Sequence, residues 1–314
     1  MRIRKLTYFE FNSYKTKLIL GFGFIFLSLI SCQKNLDLSF SSTEIKQVII
    51  ANLRPDNFLS VNISKSKQPD DYSSIEFLNN CQVALYEDST YKEQLYFVLR
   101  DSLSGLGYYV SSFQLKENKT YKIISTNAEL RTIEASEYLP NIPLVTSHQL
   151  LQHADAQHPN MEGSYTISFN DDADKADYYF IATFYQVLKP VVKNNGDTIY
   201  KYDYFSVPSY AADLPNLSNN YRTYFTDEHF NGSNKNFTIH FPSQYNDTYK
   251  AIYLYVELSK CGKNFYDWFT QQLSYGTDYF NDGQSDRLNL VGNIKNGYGH
   301  FTANSSYYFY FNIK

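Results

Sequence analysis

"FLSVNIS", residues 58–64, decides the fold class: Leu59, Val61 and Ile63 alternate with Ser60, Asn62 and Ser64. That is the period of a strand with one face in a core and the other in water. Working outward, the same pattern predicts strands at Gln47–Leu53, Gln82–Glu87, Gln94–Leu99, Tyr108–Leu115 and Tyr121–Thr126, separated by "RPDN", "KQPDD", "YEDST", "SLSGLG" and "KENK". These separators are rich in the residues that start and close turns. Six or seven short strands in about a hundred residues predict an antiparallel, immunoglobulin-like β-sandwich over residues 46–143, with a barrel as the alternative. The segment closes at "YLPNIPLV", where Pro140 and Pro143 hold the chain extended.

Residues 144–314 then read as a larger β-rich domain with one amphipathic helix. Ser147 to Gly163 reads as loop or a brief helix, and residues 206–235 as a long excursion with a short helix. Between them, strands at Asp177–Val187 and Thr198–Phe205 flank Asn195-Gly196, a tight hairpin signal. "FTIHFP" and "AIYLYVELS" return to strand, and "GHFTANSSYYFYFNIK" closes the chain as a last one. In "GKNFYDWFTQQLSYG", Phe265, Trp268, Phe269 and Gln272/Leu273 fall at helical spacing with Gly276 as the stop, and the stripe is expected to pack on a sheet. Tyr 31 and Phe 24 against Trp 1 and Met 2 fit a strand-rich chain. Core and strand packing is the plainer account of the tyrosines; a sugar-stacking surface is the other.

The N-terminus reads as an address. Arg2, Arg4, Lys5, Lys15 and Lys17 stand against the single acid Glu10 and precede an apolar run, Leu18 to Ile30, too short to span a bilayer. The run ends at Leu29-Ile30-Ser31-Cys32, which resembles the bacterial lipobox. Residues 1–31 are thus expected to be a lipoprotein signal peptide, Cys32 the lipidated residue, and 32–45 a polar tether. Several acyl chains at one terminus anchor durably where a single chain would not. The expected location is the outer membrane, lipid-anchored; export to the surface-exposed face has only Asp37 in "QKNLD" to support it.

Removing those five bases and one acid takes the formal net charge from −4 to −8. An acidic chain without a basic block is a poor electrostatic partner for nucleic acid or anionic lipid. Cys81 and Cys261 sit in apolar, strand-like surroundings and read as buried free thiols rather than a disulfide.

The sequence offers little catalytic chemistry. It contains no nucleophile elbow, zinc-protease motif, phosphate loop or dinucleotide fingerprint. No enzyme activity and no cofactor are expected; an envelope hydrolase is the third reading after those below. "FNDDADKAD" crowds Asp171, Asp172, Asp174 and Asp177 into one loop, and Asp171, Asp172 and Asp174 are the one calcium option, although the offsets of an EF-hand are absent. A solvated turn is the plainer account. His148, His153 and His158 recur every five residues, a spacing that spreads them around a helix and disfavours zinc.

Several segments together resemble the Bacteroidota outer-membrane lipoproteins grouped as domain of unknown function 4249. These are the lipobox followed by "LDL", the strand "NKTYKIIST", the strand and helix "LYVELSKCGKNFYDWF", and "LNLVGNIKNGYGHFTANSS". The most specific part is Asn289 to Phe301, where Lys295, Asn296 and His300 depart from the family's glycine-rich turn while Gly297 and Gly299 keep positive-φ positions available. The resemblance implies an N-terminal immunoglobulin-like domain, a larger C-terminal β-rich domain and frequent encoding near TonB-dependent receptors. It implies no activity and no catalytic residues. The expected role is an accessory lipoprotein partnering a TonB-dependent β-barrel receptor in nutrient capture or transporter gating and assembly. The alternative is an adhesin-like or structural envelope module that binds proteins or glycans.

Overall fold

The alternation in the opening heptapeptide is realised in two antiparallel strands, β1 (Gln47–Leu53) and β2 (Phe58–Lys65), with Leu59, Val61 and Ile63 fully buried. The computed structural model describes residues 44–313 apart from 69–70, 103–104, 154–160, 174, 212–216, 220–221, 243–249 and 277–291. The signal peptide, Cys32, most of the tether, Asp174 and His158 lie outside the described residues.

The chain continues through β3 (Gln82–Glu87), β4 (Thr90–Gln94), β5 (Tyr96–Asp101), β6 (Leu106–Gln114), β7 (Lys119–Thr126) and β8 (Ile133–Leu139). One layer has the order β1-β2-β6-β5 and the other β8-β7-β3-β4. Ile49, Leu53 and Val61 from the first meet Val83, Ile123 and Ala135 from the second in one core. Each of the valine, leucine and isoleucine side chains contributes about 1.5–3 kcal/mol on burial. Two strands differ from the expectation. β4 begins inside "YEDST", because Asp88 and Ser89 take positive φ and turn the chain within two residues. β8 is a full strand whose buried positions are Ile133, Ala135, Glu137 and Leu139; an acid and an alanine on the inner face erase the apolar alternation.

The second half comprises β9 (Leu144–Gln152), β10 (Gly163–Asn170), β11 (Tyr178–Val192), β12 (Thr198–Val207), β13 (Tyr210–Ala211), β14 (Leu217–Asn219), β15 (Arg222–Thr226), β16 (Asn234–Phe241), β17 (Lys250–Cys261), helix α1 (Lys263–Gly276), β18 (Ile294–Lys295) and β19 (Tyr298–Asn312). The sheet β13-β16-β10-β9 packs Tyr165, Ile167, Phe169 and Phe237 against Tyr179, Ile181, Val256 and Leu258 of β11 and β17. The β11–β12 hairpin turns at Asn195-Gly196 as expected, with Gly196 at φ 86°. Where loop or helix was expected after Ser147 there is the edge strand β9, exposed along most of its length and so without alternation. Among its described residues the excursion at 206–235 holds β13, β14 and β15 and no helix; Thr223, Tyr224 and Phe225 are buried in succession, which hides the period of two.

β19 joins the two halves. Its residues 298–303 pair parallel with β1, and 304–312 pair antiparallel with β17. The result is a ten-stranded sheet, β14-β15-β11-β17-β19-β1-β2-β6-β5 with β12 on β11, while β18 extends β8. Phe301 and Ala303 belong to the first core and Phe309 to the second. The close approach needs glycine: at Gly299, φ 101°, an added Cβ would stand 1.9 Å from the Ile49 carbonyl oxygen. The other left-handed residue of this turn is Asn296, φ 64°, rather than Gly297, whose place is instead crowded by the Gln47 carbonyl. Pro140, between the halves, is buried, and its carbonyl accepts the Ser305 hydroxyl. Among the described residues no helix is long and apolar enough to cross a membrane.

A tyrosine-paved sheet face as the candidate functional site

Alternation sends every second residue of β11, β17 and β19 away from the second core, onto the outer face of the ten-stranded sheet. Register aligns these residues: Phe184 lies opposite Tyr255 and Tyr255 opposite Tyr310, while Gln186 lies opposite both Tyr204 and Tyr253. The outer face divides into three zones.

At one end α1 covers it. Phe265, Phe269 and Leu273 pack on Phe180, Ala182, Tyr224 and Cys261, with Phe180 and Phe265 stacked at 5.4 Å. The helical stripe read from the sequence is this packed face. In the middle lies a buried polar network. The Glu257 carboxylate accepts the hydroxyls of Ser306 at 2.7 Å and Tyr308 at 3.0 Å, and Asn304 donates to Ser306. Glu257 and Asn304 are buried and would be costly to leave unpaired; joined to the half-buried Ser306 and the exposed Tyr308, they are satisfied.

Beyond Tyr308 the face is open and paved with tyrosine. Tyr255 touches Tyr204 at 5.8 Å, Tyr253 at 6.1 Å and Tyr310 at 5.6 Å between ring centroids, and Tyr253 meets Tyr310 edge-on at 5.3 Å. Tyr202, Tyr204 and Tyr310 are more than half exposed. Gln186, buried beneath, donates its amide to the Tyr204 hydroxyl and fixes that ring. Partial burial and the neighbouring phenols raise the Tyr255 hydroxyl above its ordinary pKa, and burial beside Glu257 does the same to Tyr308. The hydroxyls stay protonated at neutral pH, able to donate as well as accept. Rigid rings with wet hydroxyls offer apolar faces and hydrogen bonds on one surface at little entropic cost. The sequence reading assigned these tyrosines to packing; the signal that separates them is parity. "YFYFN" from Tyr308 and "AIYLYVEL" put tyrosine on one face and Phe, Ile, Leu or Val on the other.

The acidic loop has a different character. Asp171, Asp177 and Asp227 bring one carboxylate oxygen each within 4.8 Å of one another. Asp171 accepts the Tyr179 hydroxyl and, at 2.9 Å, the Gly232 amide, while Asp227 accepts the Asp177 amide. Asp177 is ion-paired with the buried ammonium of Lys260, which also lies 3.5 Å from the exposed Asp172. Desolvation raises the carboxyl pKa of both Asp177 and Asp227, with Lys260 opposing it. The cluster already contains its own cation, and its hydrogen bonds tie β10, β11, β16 and β17 together. Of the calcium option, Asp171 enters this cluster and Asp172 faces solvent at its edge.

His148 is a β9 residue stacked on Phe309 at 4.3 Å, and His300 lies against Trp268 at 4.8 Å, its pKa lowered by burial. Cys81 and Cys261 are buried free thiols, and burial pushes the Cys261 thiol well up.

No curated protein matches the chain. Among solved structures, the C-terminal domain of the Streptococcus agalactiae AgI/II polypeptide BspA is similar at 11% identity over 70% of this chain and 96% of that one, with a TM-score of 0.17. The B domain of a biofilm-associated protein is similar at 8% identity over 84% and 85%, with a TM-score of 0.16. Likenesses at these scores carry no argument. The match that does is to a family model covering residues 34–307, most of the described fold and all three zones of the outer face up to Tyr307: the chain belongs to the family of the domain of unknown function DUF4249.

Proposed function

We propose that this protein is an adhesin-like binding module of the cell envelope, tethered by lipid at Cys32, that holds glycan on the plate formed by Tyr204, Tyr253, Tyr255 and Tyr310. The plate carries this reading. Tyr255 touches the other three rings and Tyr253 also meets Tyr310; Tyr204 and Tyr310 are more than half exposed and Tyr253 and Tyr255 half-buried, an aromatic patch of the kind that marks an interaction site. The C–H face of a sugar ring stacks on such surfaces, and its hydroxyls bond the phenols at the rim. The anchor and the outer-membrane location rest on the leader sequence. The accessory role beside a TonB-dependent receptor rests on the family resemblance alone, and the plate favours the binding reading over it.

The test is retention of the full-length, detergent-solubilised protein in native gels containing envelope or extracellular polysaccharides. Retardation is expected, with Tyr255→Ala/Tyr310→Ala weakening it about tenfold, two aromatic contacts at roughly 0.5–1.5 kcal/mol each. Equal retardation of the variant by every polysaccharide, or none for either protein, would overturn the proposal.

A further inference from the structure

The strand bordering the plate has an unusual outer edge. β12 pairs with β11 along one side and, among the described residues, with no strand along the other. From Thr198 to Tyr204 most of its side chains are exposed, on both faces, so an aromatic strand lies at the rim of the sheet. Edges of this kind template pairing with another chain unless charge, proline or a bulge blunts them. Here the charges are Lys201 and Asp203, two residues apart on the face opposite the tyrosines. Asp203 lies 3.7 Å from Lys189 of β11.

The sequence of the strand, "TIYKYDYFS" from Thr198 to Ser206, is close to a palindrome. Rotate a second copy about a two-fold axis normal to the sheet at Tyr202, and antiparallel pairing sets Tyr202 against Tyr202 and Tyr200 against Tyr204. Ile199 then meets Phe205, Thr198 meets Ser206, and Lys201 meets Asp203, each pair occurring twice where the residues differ. An axis at Lys201 would oppose lysine to lysine; an axis at Asp203 would oppose aspartate to aspartate. Opposed like charges on facing strands are destabilising and opposed unlike charges stabilising. Of the axes that keep the tyrosines on one face, only the one at Tyr202 pairs Lys201 with Asp203.

We propose that two copies of this chain join edge to edge through β12 in this register, forming an isologous dimer with one sheet running across the two-fold. The two tyrosine plates become one surface, eight strands from β19 to its counterpart and roughly 34 Å wide at the usual strand spacing. The contact is short, so association in the micromolar range is expected. This proposal stands whether or not the plate binds glycan.

Sedimentation velocity of the full-length protein in mild detergent, from about 1 to about 100 μM, reads the equilibrium. A reversible dimer is expected, weakened about tenfold by Lys201→Asp or by Asp203→Lys and restored when both are combined, because the swap re-creates the opposed pair. A second measurement fixes the register without relying on charge. Tyr202→Cys sits on the axis and forms an interchain disulfide under mild oxidation, while Lys201→Cys faces Asp203 and does not. A protein monomeric throughout, a dimer indifferent to both reversals, or cross-linking of the Lys201→Cys protein in place of Tyr202→Cys would each overturn the proposal.

Discussion

Replacing Glu137 by glutamine is expected to stabilise the protein at neutral pH and to do nothing at acid pH. Glu137 lies on the buried side of β8, 5% exposed, and reaches the start of α1. One carboxylate oxygen accepts the Tyr138 amide at 3.1 Å and presses so close to Gly262 that an added Cβ there would sit 2.3 Å away. Asn264, in the first helical turn, also hydrogen-bonds the group. A helix N-terminus favours a negative charge, yet burial is the larger effect and Asp267 nearby adds repulsion. Together they lift the carboxyl from 4.5 to about 7.

The consequence for stability follows from linkage. Between pH 4.5 and about 7 the folded protein keeps this proton while the unfolded chain loses it. Ionisation therefore favours the unfolded state, and the contribution to stability falls as pH rises through that window and levels off above it. A shift of this size corresponds to about 3 kcal/mol. Glutamine is neutral at every pH and retains an acceptor for the amides. Urea unfolding of both proteins from pH 4 to pH 8 should show coincident stabilities at the acid end and a gap opening toward about 3 kcal/mol above pH 7. A gap constant with pH, or one that widens as pH falls, would refute the reasoning.

Three other substitutions probe the turns and joints of the fold. Gly299→Ala forces a Cβ into the Ile49 carbonyl at positive φ and is expected to cost about 4 kcal/mol or to prevent folding. Gly196→Ala, also left-handed but with nothing within 4 Å, should cost only about 1–2 kcal/mol; chemical denaturation of the pair separates crowding from backbone strain. Lys260→Met leaves Asp177 as an uncompensated buried charge and is expected to destabilise by about 3–5 kcal/mol, with Asp177→Asn in the same chain recovering part of the loss, both read as thermal midpoints.

What the sequence disclosed and what it hid divide along one physical line. β2, with one dry face and one wet, shows its period plainly, as do the β11–β12 hairpin with its Asn-Gly turn and α1 with its apolar stripe. β9, wet on most positions, β15, dry on consecutive ones, and β8, with Glu137 turned inward, lack that contrast, and each escaped the pattern. β19 was legible as a strand but not as the shared one. Its parallel pairing with β1 spans the whole chain, and no local periodicity encodes a partner so distant. The acidic loop was legible as a cluster of charge, whereas Asp227 and Lys260, which complete it, come from segments far along the sequence.

The tyrosine plate follows from how one sheet is covered on two sides. On β19, Phe309 and Phe311 turn toward the second core while Tyr308 and Tyr310 turn out; on β17, Leu254 and Val256 turn in while Tyr253 and Tyr255 turn out. The only helix among the described residues reaches no farther than Phe184, so the outer face changes from apolar under the helix, through the Glu257 network, to tyrosine in the open. Phenylalanine there would bury no better and would leave bare hydrocarbon in water. Tyrosine keeps the same flat ring and gives its edge a hydroxyl that solvent can hold until a ligand replaces it. A sheet that needed only solubility would carry lysine, glutamate or threonine at these positions. Edge-packed and tilted, hydroxyl-bearing rings from three strands of one sheet instead meet the requirement of a surface that must stay dissolved when empty and gain contact when covered.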